Sequence, residues 1–299
     1  MKAPWSRIGA LTSRRGGTRE RAPMKSRPLI RQDGLSLATK RIGAMMQSCA
    51  TKLPVFPPTT IYNEGWLLRL VLDWFSTHPI EGHPLNVTEN GRWFSKALLP
   101  TTFAGSGKAA RLAESPTHAD AVVGHFDVGT NGKADLSLRP DAKHLVVLEA
   151  KMFNGLSHGV TNAKYFDQAA CTVACIAEIL RCANRPASDL SRLCFYVVAP
   201  QVQIARSVFE KAMSRSSIAR KVKRRVSEYG GKKDKWYTDW FQPTLQQIEV
   251  GTLSWEELLR TIGEHDSSSA ASIQWFYLQC IGFSEQTSKG SSQRDMREE

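Results

Sequence analysis

Asp135, Glu149 and Lys151 are of types, and at spacings, suited to phosphodiester chemistry. Glu149 and Lys151 stand in VVLEAKM, residues 146–152, with one residue between them. Side chains alternate along a strand, so both would project to one face. Asp135 stands in ADLSL, residues 134–138, and the turn residues Pro140–Lys143 follow it. An antiparallel hairpin centred on that turn would set Asp135 opposite Glu149. Two adjacent carboxylates repel each other and ask for a cation. Oxygen ligands favour Mg²⁺ or Mn²⁺ over Zn²⁺. An ammonium one side-chain step further on, Lys151, would hold an attacking water and steady the negative charge growing on a phosphate. Glu64 lies four residues before Leu68 in a helical pattern, so it would project from the core-facing stripe and add a ligand or complete a second metal site. Asp127 is a rival ligand. A two-residue Asn131–Gly132 turn would leave it on the other face, and a longer loop would reverse that. The plainer reading, a surface ion pair at a strand end, explains poorly why Glu149 and Lys151 follow the apolar run Leu145–Leu148.

The elements that must position these residues are legible in outline. NEGWLLRLVLDWF, residues 63–75, carries Leu68, Val71, Leu72 and Phe75 at helical spacing. A second helix is expected over Arg92–Leu98. Strands are expected at Ala121–Val128, Ala134–Arg139 and His144–Phe153, the first two joined by Asn131–Gly132. The run Leu145–Leu148 suits a central strand covered on both faces. A helix over Lys164–Cys182, with Ala169, Ala170, Ala174 and Ala177 allowing close approach to a sheet, and a strand over Leu193–Ala199 complete an α/β pattern. A basic helix is expected over Ala205–Tyr229. Ser254–Glu257 reads as a capping box opening a helix over Trp255–Ile262, and Ser272–Ile281 as a last buried helix. A short helix around Leu37–Met46 precedes a Pro-rich linker at Pro54–Pro58.

The pattern resembles the PD-(D/E)XK nuclease superfamily, which has the restriction-endonuclease-like fold. The residues that carry the resemblance are Glu64, Asp135, Glu149-Ala150-Lys151 and Gln168, across roughly residues 60–200. The resemblance implies a central mixed sheet flanked by helices. It implies that Asp135 and Glu149 bind Mg²⁺, that Lys151 assists the water, and that Gln168 orients the constellation. Two departures stand out: Ala134 rather than Pro precedes Asp135, and Thr172 stands where a Tyr often follows the helical Gln.

Charge and composition point to the partner. The chain of 299 residues has a net charge of +12. Residues 1–58 hold twelve Lys/Arg against Glu20 and Asp33, and residues 211–235 hold ten against Glu228 and Asp234. Basic charge gathered in this way suits a polyanion such as nucleic acid, with DNA expected over RNA. Lys221, Lys223, Arg224, Arg225, Lys232 and Lys233 are the expected phosphate contacts. The cluster Trp236, Tyr237, Trp240 and Phe241 suits core or interface better than a base-stacking platform. Gly105-Ser106-Gly107-Lys108 lacks the outer residues of a phosphate-binding loop. The six cysteines are scattered, and those in apolar segments read as small buried hydrophobes. No apolar run approaches the roughly 20 residues that span a bilayer, so a cytoplasmic protein without a membrane partner is expected. Four segments follow: a basic, largely disordered residues 1–58; a nuclease-like core, 59–204; a basic helical extension, 205–283; and a disordered tail, 284–299. The expected activity is Mg²⁺-dependent nuclease; the rival is a nucleic-acid-binding or scaffold protein that keeps the fold without turnover. Endo or exo mode, pathway, and assembly as a homodimer or part of a larger complex stay open.

Overall fold

A computed structural model describes residues 32–49, 51, 54–104, 112, 114, 117–130, 132–159 and 163–295, with the backbone alone at 32–37 and 285–295. The basic residues 1–31 and the 105–108 loop lie outside the described residues.

Helix α1 (Gln32–Ser48) leads to α2 (Glu64–Thr77). The sequence opens α2 with a cap: Asn63 is extended, and its Oδ1 accepts from the Trp66 N–H at 3.1 Å. Three antiparallel strands follow: β1 (Arg92–Leu99), β2 (Thr117–Gly124) and β5 (His144–Ala150), with a small hairpin of β3 (Phe126–Val128) and β4 (Leu136–Leu138) between the last two. Helix α3 (Gln168–Cys182) crosses over to β6 (Arg192–Ala199), which runs parallel to β5. Short helices α4 (Gln201–Ala205) and α5 (Glu210–Met213) precede α6 (Arg215–Ser227). Helix α7 (Asp234–Trp236) passes through a π-helical turn, Tyr237–Phe241, into α8 (Gln242–Gln247). Strand β7 (Glu249–Ser254), α9 (Trp255–His265) and α10 (Ser267–Asp295) end the described chain. The sheet order is β1-β2-β5-β6-β7, antiparallel at the β1 side and parallel from β5 onward.

Every residue of the central strand β5 is buried, as its apolar run requires. Leu145 and Val147 face α3 and α6, packing with Val173, Ile176, Phe195 and Val222. Val146, Leu148 and Ala150 face α2, α9 and α10, packing with Leu68, Val71, Leu72, Trp255 and Ile262. Each such fully buried aliphatic side chain contributes about 1.5–3 kcal/mol over its exposed state. Two layers of helices therefore clamp one sheet, an α/β architecture with a mixed sheet of five strands.

Several expectations are corrected. Arg92–Leu98 is strand, not helix: Trp93 and Phe94 favour the pleated surface, and Ala97 and Leu99 alternate inward. The expected strand 121–128 is two strands in two sheets. Gly124 has φ +141, and a Cβ there would run into the carbonyl oxygen of His144, so only glycine allows this break. The expected pairing of Asp135 with Glu149 does not form. Strand β4 pairs with β3, while β5 takes β2 on one side and β6 on the other. The expected helix 205–229 is broken into short pieces near Ser207, which has φ +56. The segment after 205 is not wholly helical, since β7 extends the main sheet. The backbone from Ser284 continues as helix to Asp295. Cys182, expected to be buried, is exposed.

Candidate active site

The antiparallel register of β2 and β5 pairs Ala121 with Leu148, which sets Asp120 opposite Glu149. Glu149 shares the parity of Leu145 and Val147, on the face covered by α3, and Asp120 stands where the alternation of β2 breaks, between Ala119 and Ala121 on opposite faces. Each strand is fixed at this end. The Ala150 N–H donates to Asp120 Oδ2 at 2.9 Å. The Lys151 N–H donates to the Val198 carbonyl at 2.8 Å, and the Trp255 indole donates to the Lys151 carbonyl at 3.0 Å. The Lys151 ammonium lies 2.8 Å from Glu149 Oε1, and the Lys96 ammonium pairs with Asp120. A row of four ionisable groups thus crosses β1, β2 and β5 in the order Lys96, Asp120, Glu149, Lys151.

Glu149 is 5% exposed. Burial, with the neighbouring Asp120 charge adding to it, pushes its carboxyl up to about 8, and Lys151 only partly opposes this. Burial acts on Asp120 in the same direction. There it is outweighed by hydrogen bonds from Lys96, from the Glu149 carboxyl and from the Ala150 N–H, which hold Asp120 below the usual carboxylate range. The pair therefore shares one proton, resident on Glu149, with Asp120 ionised. Two oxygen ligands that cannot both ionise in isolation are the donor set a hard divalent cation satisfies.

The fit has a limit in side-chain number. Among the described residues no three His, Cys, Asp or Glu side chains converge on one point. A cation on Asp120 and Glu149 would complete its shell with water, backbone and phosphate oxygens, the usual habit of Mg²⁺.

The other expected site residues lie elsewhere. Asp135 forms a bridge to Leu98 on the outer edge of β1, and its carboxylate accepts from the Gly132 N–H. Strands β1 and β2 stand between it and Glu149, so the two cannot share an ion at spacings of about 4.8 Å per strand. The expected placing of Asp135 beside Glu149 is therefore corrected: the carboxylate next to Glu149 is that of Asp120. Asp127, the rival, lies exposed on β3 opposite Ser137, outside the main sheet. Glu64 sits at the first turn of α2, on the opposite face of the sheet, close enough to Cys280 that its charge helps push that thiol up. Gln168 is the first residue of α3. Its Oε1 accepts from the Ser157 N–H at 3.2 Å, so it staples the β5–α3 connection. A crossover helix runs back along its strands, so this α3 end lies at the end of the sheet where β5 stops.

The basic segment divides. Arg225 is fully buried, bonded to Glu114 at 2.9 Å and Glu228 at 2.6 Å, so it is a core ion pair and not a phosphate contact. Its helical position is the cause: it shares the inward stripe with Ile218 and Val222. Lys221 pairs with Asp167, the N-cap of α3, at 2.5 Å. Lys233 donates to Thr102 at 3.2 Å. Arg220, Lys223, Arg224 and Lys232 are exposed, with the Arg224 guanidinium 3.7 Å from the Tyr165 ring centroid. Trp236 and Phe241 are core, packed with Phe103.

Sequence reasoning missed Asp120 and Lys96. The available signal for Asp120 was a lone carboxylate inside the strand-like run Ala119–Val123. No helix among the described residues is long and apolar enough to cross a membrane. Comparison of the chain with protein-family models, curated proteins and solved structures finds no match.

Proposed function

We propose that this protein is a divalent-cation-dependent nuclease, acting on DNA in preference to RNA, with Asp120, Glu149 and Lys151 at its centre. The observation that carries the reading is the pair of carboxyls, Asp120 and buried Glu149, set side by side across β2 and β5 with the Lys151 ammonium 2.8 Å from Glu149. In the resemblance to the PD-(D/E)XK superfamily and its restriction-endonuclease-like fold, Asp120 takes the place first read onto Asp135. Glu149-Ala150-Lys151 keeps its part.

Asp120 and Glu149 would hold Mg²⁺ or Mn²⁺, and the bound cation supplies Lewis acidity toward a phosphate and lowers the pKa of water. The chain's own part follows from its geometry. Asp120 stays ionised because three hydrogen bonds favour the anion. Glu149 would coordinate as the carboxylate, its proton released to solvent. The Lys151 ammonium, held 2.8 Å from Glu149, then faces the place where a phosphate oxygen gains charge, and stabilises it there. The exposed Arg220, Lys223 and Arg224 on α6, beside the α3 N-terminus, suit phosphate positioning without base readout.

A second reading has one observation in its favour. Lys96, Asp120, Glu149 and Lys151 satisfy one another, and a closed ion network can simply tie three strands together in a non-catalytic nucleic-acid-binding protein. The test is cleavage of single-stranded DNA, duplex DNA and RNA with Mg²⁺ or EDTA. Cleavage that needs Mg²⁺ and is lost in Lys151→Met supports the nuclease. Binding without cleavage on any substrate overturns it in favour of the second reading.

A further inference from the structure

Lys96 adopts a backbone conformation that its sequence does not favour. It lies in the middle of β1 at φ +59, the left-handed region that side chains with a Cβ avoid. The β1–β2 ladder pairs Ser95 with Ala121 and Ala97 with Ala119, and skips the Lys96–Asp120 position between them. The strand therefore gives up regular pairing at the residue whose ammonium pairs with Asp120. Strain of this kind persists where the surrounding structure enforces it, and it gathers at functional sites. Glycine would adopt this φ freely, yet lysine stands there.

The two partners differ in freedom. The Lys96 side chain is 54% exposed, whereas Asp120 is 11% exposed and anchored by the Ala150 N–H. The aspartate is fixed and the lysine can leave. Lys151, by contrast, is 13% exposed and held by Glu149.

We propose that Lys96 is a second lysine of the site: it occupies the Asp120 carboxylate until a divalent cation displaces it, and its ammonium then turns to the phosphate of the nucleic-acid substrate. The proposal rests on the nuclease reading and extends it. Lys96 and the cation compete for one carboxylate, so removing the ammonium should tighten cation binding and weaken substrate binding. A lysine that merely braced the strand would leave substrate binding unchanged.

The test uses the full chain, with Mn²⁺ as the probe in titration calorimetry, alongside thermal melting and cleavage kinetics. Lys96→Gly removes the ammonium and the left-handed strain together; Lys96→Met removes the ammonium alone; Lys96→Arg keeps a cation. Both neutral variants should bind Mn²⁺ about tenfold more tightly, the equivalent of one charge-assisted hydrogen bond no longer displaced. Their KM for DNA should rise more than their kcat falls, and Lys96→Arg should stay near the wild type in both. Lys96→Gly should melt above Lys96→Met, because both lose the partner of Asp120 and glycine alone of the two relieves the left-handed backbone. If the wild type binds Mn²⁺ through Asp120 and both neutral variants bind it equally or more weakly, this inference alone is overturned. Wild-type Mn²⁺ binding that is absent, or untouched by Asp120→Asn, overturns the metal reading and this inference together.

Discussion

Glu149 holds a proton because burial and the adjacent Asp120 make its charge expensive, and a divalent cation must displace that proton to bind. The sign follows. The folded-state pKa of Glu149 lies above the ordinary glutamate range, so the metal-free fold binds one more proton than the unfolded chain between that range and about 8. The contribution of Glu149 to metal-free stability is therefore present at low pH and lost as pH rises through that window. Metal affinity runs the other way. Mn²⁺ affinity should rise about tenfold per pH unit from pH 6 toward 8 and then level off, as the release of one proton requires. Calorimetry at several pH values measures it, and a flat profile would remove Glu149 from the metal site. Lys151 answers to a different readout. Lys151→Met keeps both carboxylates, so Mn²⁺ binding should survive while cleavage falls about 10²–10³-fold, the usual loss for one electrostatic donor. Cleavage at the wild-type rate would leave Lys151 without a catalytic part.

At the scale of elements, α6 has two separate duties written on one helix. Its inward stripe, Ile218, Val222 and Arg225, locks it against α3, with Arg225 neutralising the buried Glu114. Arg225→Met should destabilise the protein by about 3–5 kcal/mol, because it strands a buried carboxylate, and Glu114→Leu in the same chain should recover most of that loss. Denaturant unfolding of the single and double variants checks this, and a single variant as stable as the wild type would contradict the buried pair. The elements were largely legible where a run of side chains is buried on one or both faces. Helix α2, strand β5, strand β6 and the capped start of α9 lie within a few residues of their expected positions. What the sequence could not decide was partner choice. ADLSL and VVLEAKM flank a good turn, so local turn chemistry favoured a hairpin between them. The long-range burial of β2 against β5 won instead, at a break that only the Gly124 backbone explains. The same limitation hid Asp120, whose role depends on register and not on spacing. Arg225 was misread because its charge outranked its place on the helical stripe.

At the scale of the molecule, one mixed sheet between two helical layers brings the carboxylate pair to the end where β5 stops and α3 begins. Lys221 ties the α3 cap residue Asp167 to α6, so the exposed basic face of α6 is held close to that end. Neutralising Arg220, Lys223 and Arg224 should weaken DNA affinity equally across sequences and make the salt dependence shallower by about 0.9 in log–log slope per lost phosphate contact. An unchanged slope would make this face a solvated surface. The nuclease reading turns on which aspartate stands beside Glu149. Asp120 and Asp135 are both carboxylates in strand-like segments before Glu149, and the register distinguishes them. The direct measurement is Mg²⁺-dependent DNA cleavage by Asp120→Asn and Asp135→Asn, purified and assayed side by side with the wild type. Asp120→Asn should lose cleavage, and Asp135→Asn should cleave at close to the wild-type rate. Cleavage retained in Asp120→Asn would contradict this reading.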